Sequence, residues 1–176
     1  MRIDNAKVLE NGFAKGLRMI EDTIYNSLMD AAEKILVRVA SNRQFIGFTG
    51  NTQTSYMAGV YQNGSLVGIV NQKNWSDAPR RAKVRKGSVV FLSNPYEGRP
   101  RAVKGMVDVG DNYGIETSIK FLQGYKANPK GFSLVVTTGT EYSVYIEQAM
   151  NLDVLTNTYM NAADIINRSW RKIDSV

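Results

Sequence analysis

The sequence predicts an α+β fold: a small antiparallel β-sheet flanked by a long N-terminal helix and a C-terminal helix, with an irregular basic insertion. Three observations predict it. An apolar stripe of helical period runs through the first forty residues, an Asn-Gly turn joins two strand-like arms, and a strand near residue 132 leads to a second helical stripe. The chain of 176 residues, 43% hydrophobic and 22% charged, is of a size and composition for one domain (1–176) with its own core.

The first element spans residues 6–41. Leu9, Phe13, Leu17, Ile20, Ile24, Leu28, Ala32, Ile35 and Val39 recur every three or four residues and draw one apolar stripe. Asp4 or Asn5 can cap its start and Ser41-Asn42 can end it. Some 35 residues make a rod of roughly 50 Å. Gly12 and Gly16 each cost about 1 kcal/mol against Ala, so a bend or fraying is expected there. A small domain cannot cover so long a helix with its own chain. Part of the stripe, drawn from Phe13, Leu17, Ile20, Ile24 and Leu28, is therefore expected to pack on a neighbouring subunit.

Thr49-Gly50-Asn51 then precedes a short turn and a hairpin over residues 56–70, with Asn63-Gly64 as its tip. Gly59 and Gly68 weaken its arms or mark bulges. Residues from about 73 to 131 form the insertion. It contains a strand candidate at Val89 to Leu92 and a short helix at Ile115 to Leu122, with Ile115, Ile119 and Leu122 on one face. A strand follows over 132–138, and then Tyr142 to Ala149 as a short helix or strand extension. The closing helix is expected at about 157–172, with Leu155, Tyr159, Ala162, Ile166, Trp170 and Ile173 on its apolar side. Tyr142, Tyr145, Tyr159 and Trp170 read as packing anchors.

Composition narrows the function. The chain holds no cysteine and no histidine, so disulfides, thiolate nucleophiles, Ser-His-Asp triads and His- or Cys-ligated metals are all absent from its chemistry. Carboxylates, Lys and Tyr remain, but the expectation is a non-enzyme without cofactor or metal. No run approaches the ~18 apolar residues of a membrane span, and the N-terminus has no secretory pattern. A protein made and used in the cytosol until assembly is expected. The loop from Gly105 to Gly114 lacks the ending of a Walker loop and the spacing of an EF-hand. Asp108, Asp111 and Glu116 would have to converge to hold Mg²⁺ for a nuclease; a turn is the simpler reading.

Charge is concentrated. Arg80, Arg81, Lys83, Arg85, Lys86, Arg99, Arg101 and Lys104 are opposed only by Glu97, a segment of +7 within a chain of +6. Three readings of this run stand open: phosphate contact with DNA, a solvated loop, or a strap onto acidic residues of a partner. Trp75, Phe91 and Tyr96 are the only nearby aromatics, too few for a single-strand stacking platform.

Two short strings carry a resemblance. Thr49-Gly50-Asn51-Thr52-x-x-Ser55, between a long helix and a hairpin, resembles the Thr-Gly-Asn-Leu-Arg-x-Ser pattern of a tailed-bacteriophage head–tail connector, neck and tail-completion family. Tyr142-Ser143-Val144-Tyr145-Ile146-Glu147 resembles that family's Tyr-Ala-x-Tyr-Val-Glu element, and Tyr159-Met160-Asn161-Ala162 stands where its last helix opens. Gln148-Ala149 replaces the usual Gly-Thr, Asn161 replaces Pro, and the middle is longer than typical. The resemblance implies a structural virion protein at the head–tail junction, assembled in the host cytoplasm. It further implies a homo-oligomeric ring of about six or twelve subunits. Such a ring stacks on a portal or adjacent connector or tail ring, and double-stranded genomic DNA passes through its lumen. The basic run would then face DNA or a partner ring, with Tyr145 and Trp170 beside the helix stripe in subunit packing. The alternative is a basic nucleic-acid-binding protein acting as a monomer or dimer.

Overall fold

The computed structural model describes residues 5–42, 51–71, 89–93, 100–104, 113–140, 143 and 154–170. The architecture is α+β. Helix α1 (Asn5–Ser41) is followed by the single turn α2 (Asn51–Ser55), strands β1 (Met57–Gln62) and β2 (Ser65–Asn71), and a second hairpin of β3 (Val89–Ser93) and β4 (Pro100–Lys104). Helix α3 (Tyr113–Gly124), strand β5 (Phe132–Thr137) and helices α4 (Val154–Met160) and α5 (Ala162–Ser169) complete it. The main sheet is antiparallel with order β2-β1-β5.

Helix α1 runs unbroken through Gly12 and Gly16, since two unfavourable residues do not outweigh propagation of so long a helix. It closes where the sequence signals it: Ser41 Oγ and the Asn42 amide both donate to the Arg38 carbonyl, at 2.9 Å each. The hairpin tip has positive φ at Asn63 (51°) and Gly64 (82°), as a type I′ turn requires. Asn63 also fixes the third strand. Its amide donates to the Gly131 carbonyl at 2.8 Å, and its side-chain oxygen accepts from the Gly131 amide at 3.0 Å. A register shift between Val60 and Tyr61, beside Gly68, is the bulge that a strand glycine signals.

Alternation along β1 builds two faces. Ala58, with Val70 and Val136 directly across, packs with Leu134 under Ala32, Leu36 and Val39 of α1 and Val154 of α4. Helix α5 lies along α1, where Lys34 Nζ donates to Ser169 Oγ at 3.0 Å. On the opposite face α3 covers β1. A Cβ added at Gly59 would touch Leu122 at 3.0 Å, and the buried Tyr61 hydroxyl donates to the Leu122 carbonyl. The domain is thus three layers, with α1, α4 and α5 on one side of the sheet and α3 on the other.

Three expectations need correction. The region to 131 is less irregular than expected: the strand and the helix read at 89–92 and 115–122 stand as β3 and α3, and β3 pairs with a further strand, β4, that was not expected. Pro100-Arg101-Ala102-Val103-Lys104 hides its strand character because the Pro stands at the first strand position and charges bracket the apolar pair. The segment before β1 is a helical turn rather than a simple turn. The closing helix is two helices. At Asn161 the amide bonds back three residues, to the Thr158 carbonyl at 3.2 Å, and its side chain takes the Asn157 carbonyl at 2.8 Å. That local competition interrupts the ladder. The phase shift buries Val154 and Thr158 and leaves Tyr159, expected as an anchor, 78% exposed. Trp170 is extended and exposed, so the helix stops at Ser169 rather than 172.

Burial in the sheet–α3 layer raises the Tyr61 hydroxyl above its ordinary pKa of 10.0, with a smaller contribution from Tyr125. A raised folded pKa means that the phenol's stabilisation is complete below the unfolded pKa and is lost as pH rises through the folded value. Tyr61→Phe is expected to cost about 1 kcal/mol at neutral pH, from the lost hydrogen bond. It should also flatten the alkaline decline in stability above pH ~10. Urea unfolding across that range checks both parts; an unchanged alkaline slope would contradict the second.

Candidate assembly surface

The first half of α1 stands free of the other described residues. Val8 and Leu9 are exposed, and Phe13, Leu17 and Ile20 are 66%, 62% and 41% exposed. From Ser27 onward one face of the same helix is buried in the core, and Ile24 is half-buried between the two regimes. The cause lies in the chain's dimensions: a three-stranded sheet of six- or seven-residue strands spans about 20 Å, while 37 residues of helix reach about 55 Å. Roughly half the rod projects as an arm with its apolar stripe uncovered. Leu28, assigned by sequence to subunit packing, is already covered by its own chain, whereas Phe13, Leu17 and Ile20 are exposed. A shallow depression on the arm is lined by Asn5, Val8, Leu9, Gly12 and Phe13 and holds no reactive group.

Ser143, the one described residue of the second string, is linked through Thr138 and Thr140 to Ser55 and Thr52 of the first. Ser55 Oγ donates to the Thr52 carbonyl at 2.9 Å and lies 2.7 Å from Thr138 Oγ1, which is 3.1 Å from Ser143 Oγ. Thr140 Oγ1 closes the circuit, at 2.5 Å from Ser143 Oγ and 3.2 Å from Thr52 Oγ1. Ser118 of α3 donates to the Ser55 carbonyl. Residues 88 positions apart are therefore tied by hydroxyls alone, in a setting where Thr52, Ser55, Ser118, Thr140 and Ser143 are all buried. Satisfied networks of this kind fix relative position. Among the described residues the network consists of hydroxyls and main-chain carbonyls. Sequence reading gives Thr52, Ser55 and Ser143 only as members of the two strings, without a role, and misses Ser118, Thr138 and Thr140; the Thr-Thr-Gly-Thr run at the end of β5 is the available signal.

Elsewhere, Phe121 and Tyr125 form an exposed aromatic pair at the end of α3, with ring centroids 5.6 Å apart; Tyr125 also meets Tyr61 at 5.8 Å. Lys120, Lys126 and Lys130 surround that pair in sequence and are exposed. Of the basic run, Arg101 and Lys104 fall on β4, in register with Leu92 and Val89. Arg80, Arg81, Lys83, Arg85, Lys86 and Arg99 lie outside the described residues, as do Tyr142 and Tyr145. Glu116 is exposed on α3, Asp108 and Asp111 lie outside the described residues, and among those described no three acidic side chains gather to hold a metal. Among them, too, no helix is long and apolar enough to cross a membrane.

Comparison with protein-family models, curated proteins and solved structures found no match to this chain.

Proposed function

We propose that this chain is a non-catalytic, self-assembling structural protein of the tailed-bacteriophage head–tail junction, acting as a connector, neck or tail-completion ring. The observation that carries the self-assembly is the arm: Phe13, Leu17 and Ile20 form an apolar row on a helix that the other described residues leave exposed. Exposed apolar surface of this kind marks an interaction site. The station in a phage particle rests on the two motifs, and the link from Ser143 through Thr138 and Thr140 to Ser55 and Thr52 is consistent with reading them as one structural unit. In this reading the +7 segment lies against genomic DNA in the lumen or against a portal or neighbouring ring. The ring is built in the host cytoplasm and carried in the virion.

A second reading is favoured by the basic segment alone: a nucleic-acid-binding monomer or dimer. One experiment separates the two. Light scattering and negative-stain microscopy of the purified protein, alone and with a portal ring, are expected to give a closed ring or capture onto the portal. A monomer that ignores the portal, yet binds DNA more tightly as salt falls, would replace the assembly reading with the second one.

A further inference from the structure

The charges of the α1 arm are complementary to their own reverse. At roughly 100° per residue, Lys7, Glu10, Arg18 and Glu21 fall on one flank of the Leu9, Phe13, Leu17 and Ile20 row. Lys15 and Asp22 lie on the far side of the helix. Along the charged flank the signs run plus, minus, plus, minus. Lys7 and Glu21 are equidistant from Ala14, and so are Glu10 and Arg18. Turned end for end about Ala14, the flank sets each basic group level with a carboxylate, while like charges stay offset by about 4.5 Å along the axis.

Two further features share that centre. The exposed stretch of α1 runs from Asn5 to Asp22, interrupted only by the half-buried Met19, and its midpoint falls beside Ala14. The apolar row from Leu9 to Ile20 is centred there as well.

We propose that the arms of two copies pair antiparallel about a twofold axis at the level of Ala14, through the Leu9, Phe13, Leu17 and Ile20 row. Charge selects both the occupant and its direction. An antiparallel twofold pair brings the same flank of both helices together, so Lys7 meets Glu21 and Glu10 meets Arg18, each twice. A parallel pair would instead set the charged flank against that of Asn5, Gly12, Gly16 and Met19, which carries no charge. Length agrees with the antiparallel choice. The overlap covers the exposed stretch and stops where each helix begins to be covered by its own chain, which puts the two domains at opposite ends. An isologous contact closes on itself, so any ring built on it is a ring of pairs. This inference rests on the self-assembly reading and names the contact that would produce it.

The cysteine-free chain makes the direction testable. Full-length Leu9→Cys mixed with full-length Ile20→Cys is expected to give a disulfide-linked pair under mild oxidation. Leu9→Cys alone should stay uncrosslinked, because its two copies lie about 15 Å apart along the axis. Charge is tested by mixing. Lys7→Glu/Arg18→Glu has an all-acidic flank and Glu10→Lys/Glu21→Lys an all-basic one. Each alone should raise the dissociation constant about tenfold, and an equimolar mixture should recover the parental association. Both variants place like charges three residues apart in their own helix, so recovery on mixing reports the contact between copies rather than helix stability. A covalent dimer from Leu9→Cys alone would overturn the proposal in favour of parallel arms. An assembled parent chain whose cysteine mixture forms no cross-link, or whose charge variants fail to recover on mixing, would overturn it while leaving self-assembly standing. A parent chain that is monomeric at every concentration would overturn both.

Discussion

Replacing Gly139 by Ala is expected to destabilise the domain by about 3 kcal/mol, near the upper end of what overpacking costs. The added methyl would overlap the Gly114 carbonyl oxygen and lie 2.7 Å from both the Ser118 amide nitrogen and its hydroxyl. Most of those obstacles are backbone, so no side-chain rotation relieves them. Helix α3 must retreat from the end of β5, and the Ser118 to Ser55 hydrogen bond and the hydroxyl circuit behind it are strained together. For a chain of this length the loss lowers the midpoint of thermal unfolding by about 9 °C. Gly12→Ala is the matched control. A Cβ there meets nothing within 4 Å on an exposed stretch of helix, so the same chemical change should stabilise by about 1 kcal/mol. Opposite signs in circular-dichroism melts would establish that close approach at Gly139 holds α3 in place. A Gly139→Ala melt equal to that of the parent would remove α3 from the account of the fold.

Nothing in the local sequence marks Gly139 as a contact. Thr138-Gly139-Thr140 reads as a turn, and the partner it touches is supplied by residues 114–118, which are distant in the chain. The same reason separates what was legible from what was not. Helix α1, the Asn63-Gly64 hairpin and β5 are written in periodicity and turn chemistry, which are local, and they stand where the sequence puts them. The break at Asn161 depends on a competition between side-chain and main-chain hydrogen bonds that hydrophobic spacing does not register. Strand β4 is legible only through its partner β3.

The assembly surface divides along the same line. That a helix as long as α1 outruns its domain follows from length alone, whereas the position at which coverage begins does not. It falls between Ile20 and Leu28, where the middle of α1 reaches the edge of the sheet: the side chains of Tyr25 and Met29 close over Gly68 of β2. The stripe is continuous across that boundary, so periodicity assigns one role to residues that the fold gives two. Leu28 belongs to the core and Leu17 to the surface, although both sit on one line of the helix.

That division yields the second prediction. Phe13→Ser/Leu17→Ser/Ile20→Ser is expected to abolish assembly while leaving the domain folded. Each of the three is already 34–59% covered in the single chain, as the 41–66% exposures imply. About half of the usual 1.5–3 kcal/mol per side chain therefore remains to be gained on docking. Together they contribute about 3 kcal/mol at each contact, or roughly a hundredfold in the dissociation constant. In the proposed arm pair the same three residues come from both copies, so the loss acts on both sides of the contact. On the proposed ring reading, sedimentation velocity should show the triple variant as a single slow species at concentrations where the parent sediments as an assembly. Its far-ultraviolet spectrum should match that of the parent. Leu36→Ser supplies the contrast, because Leu36 is fully buried in the α1 core and its loss costs about 2–5 kcal/mol of stability. If the triple variant assembled as the parent does, the arm would be a solvated projection, and the contacts of any ring would have to come from another surface.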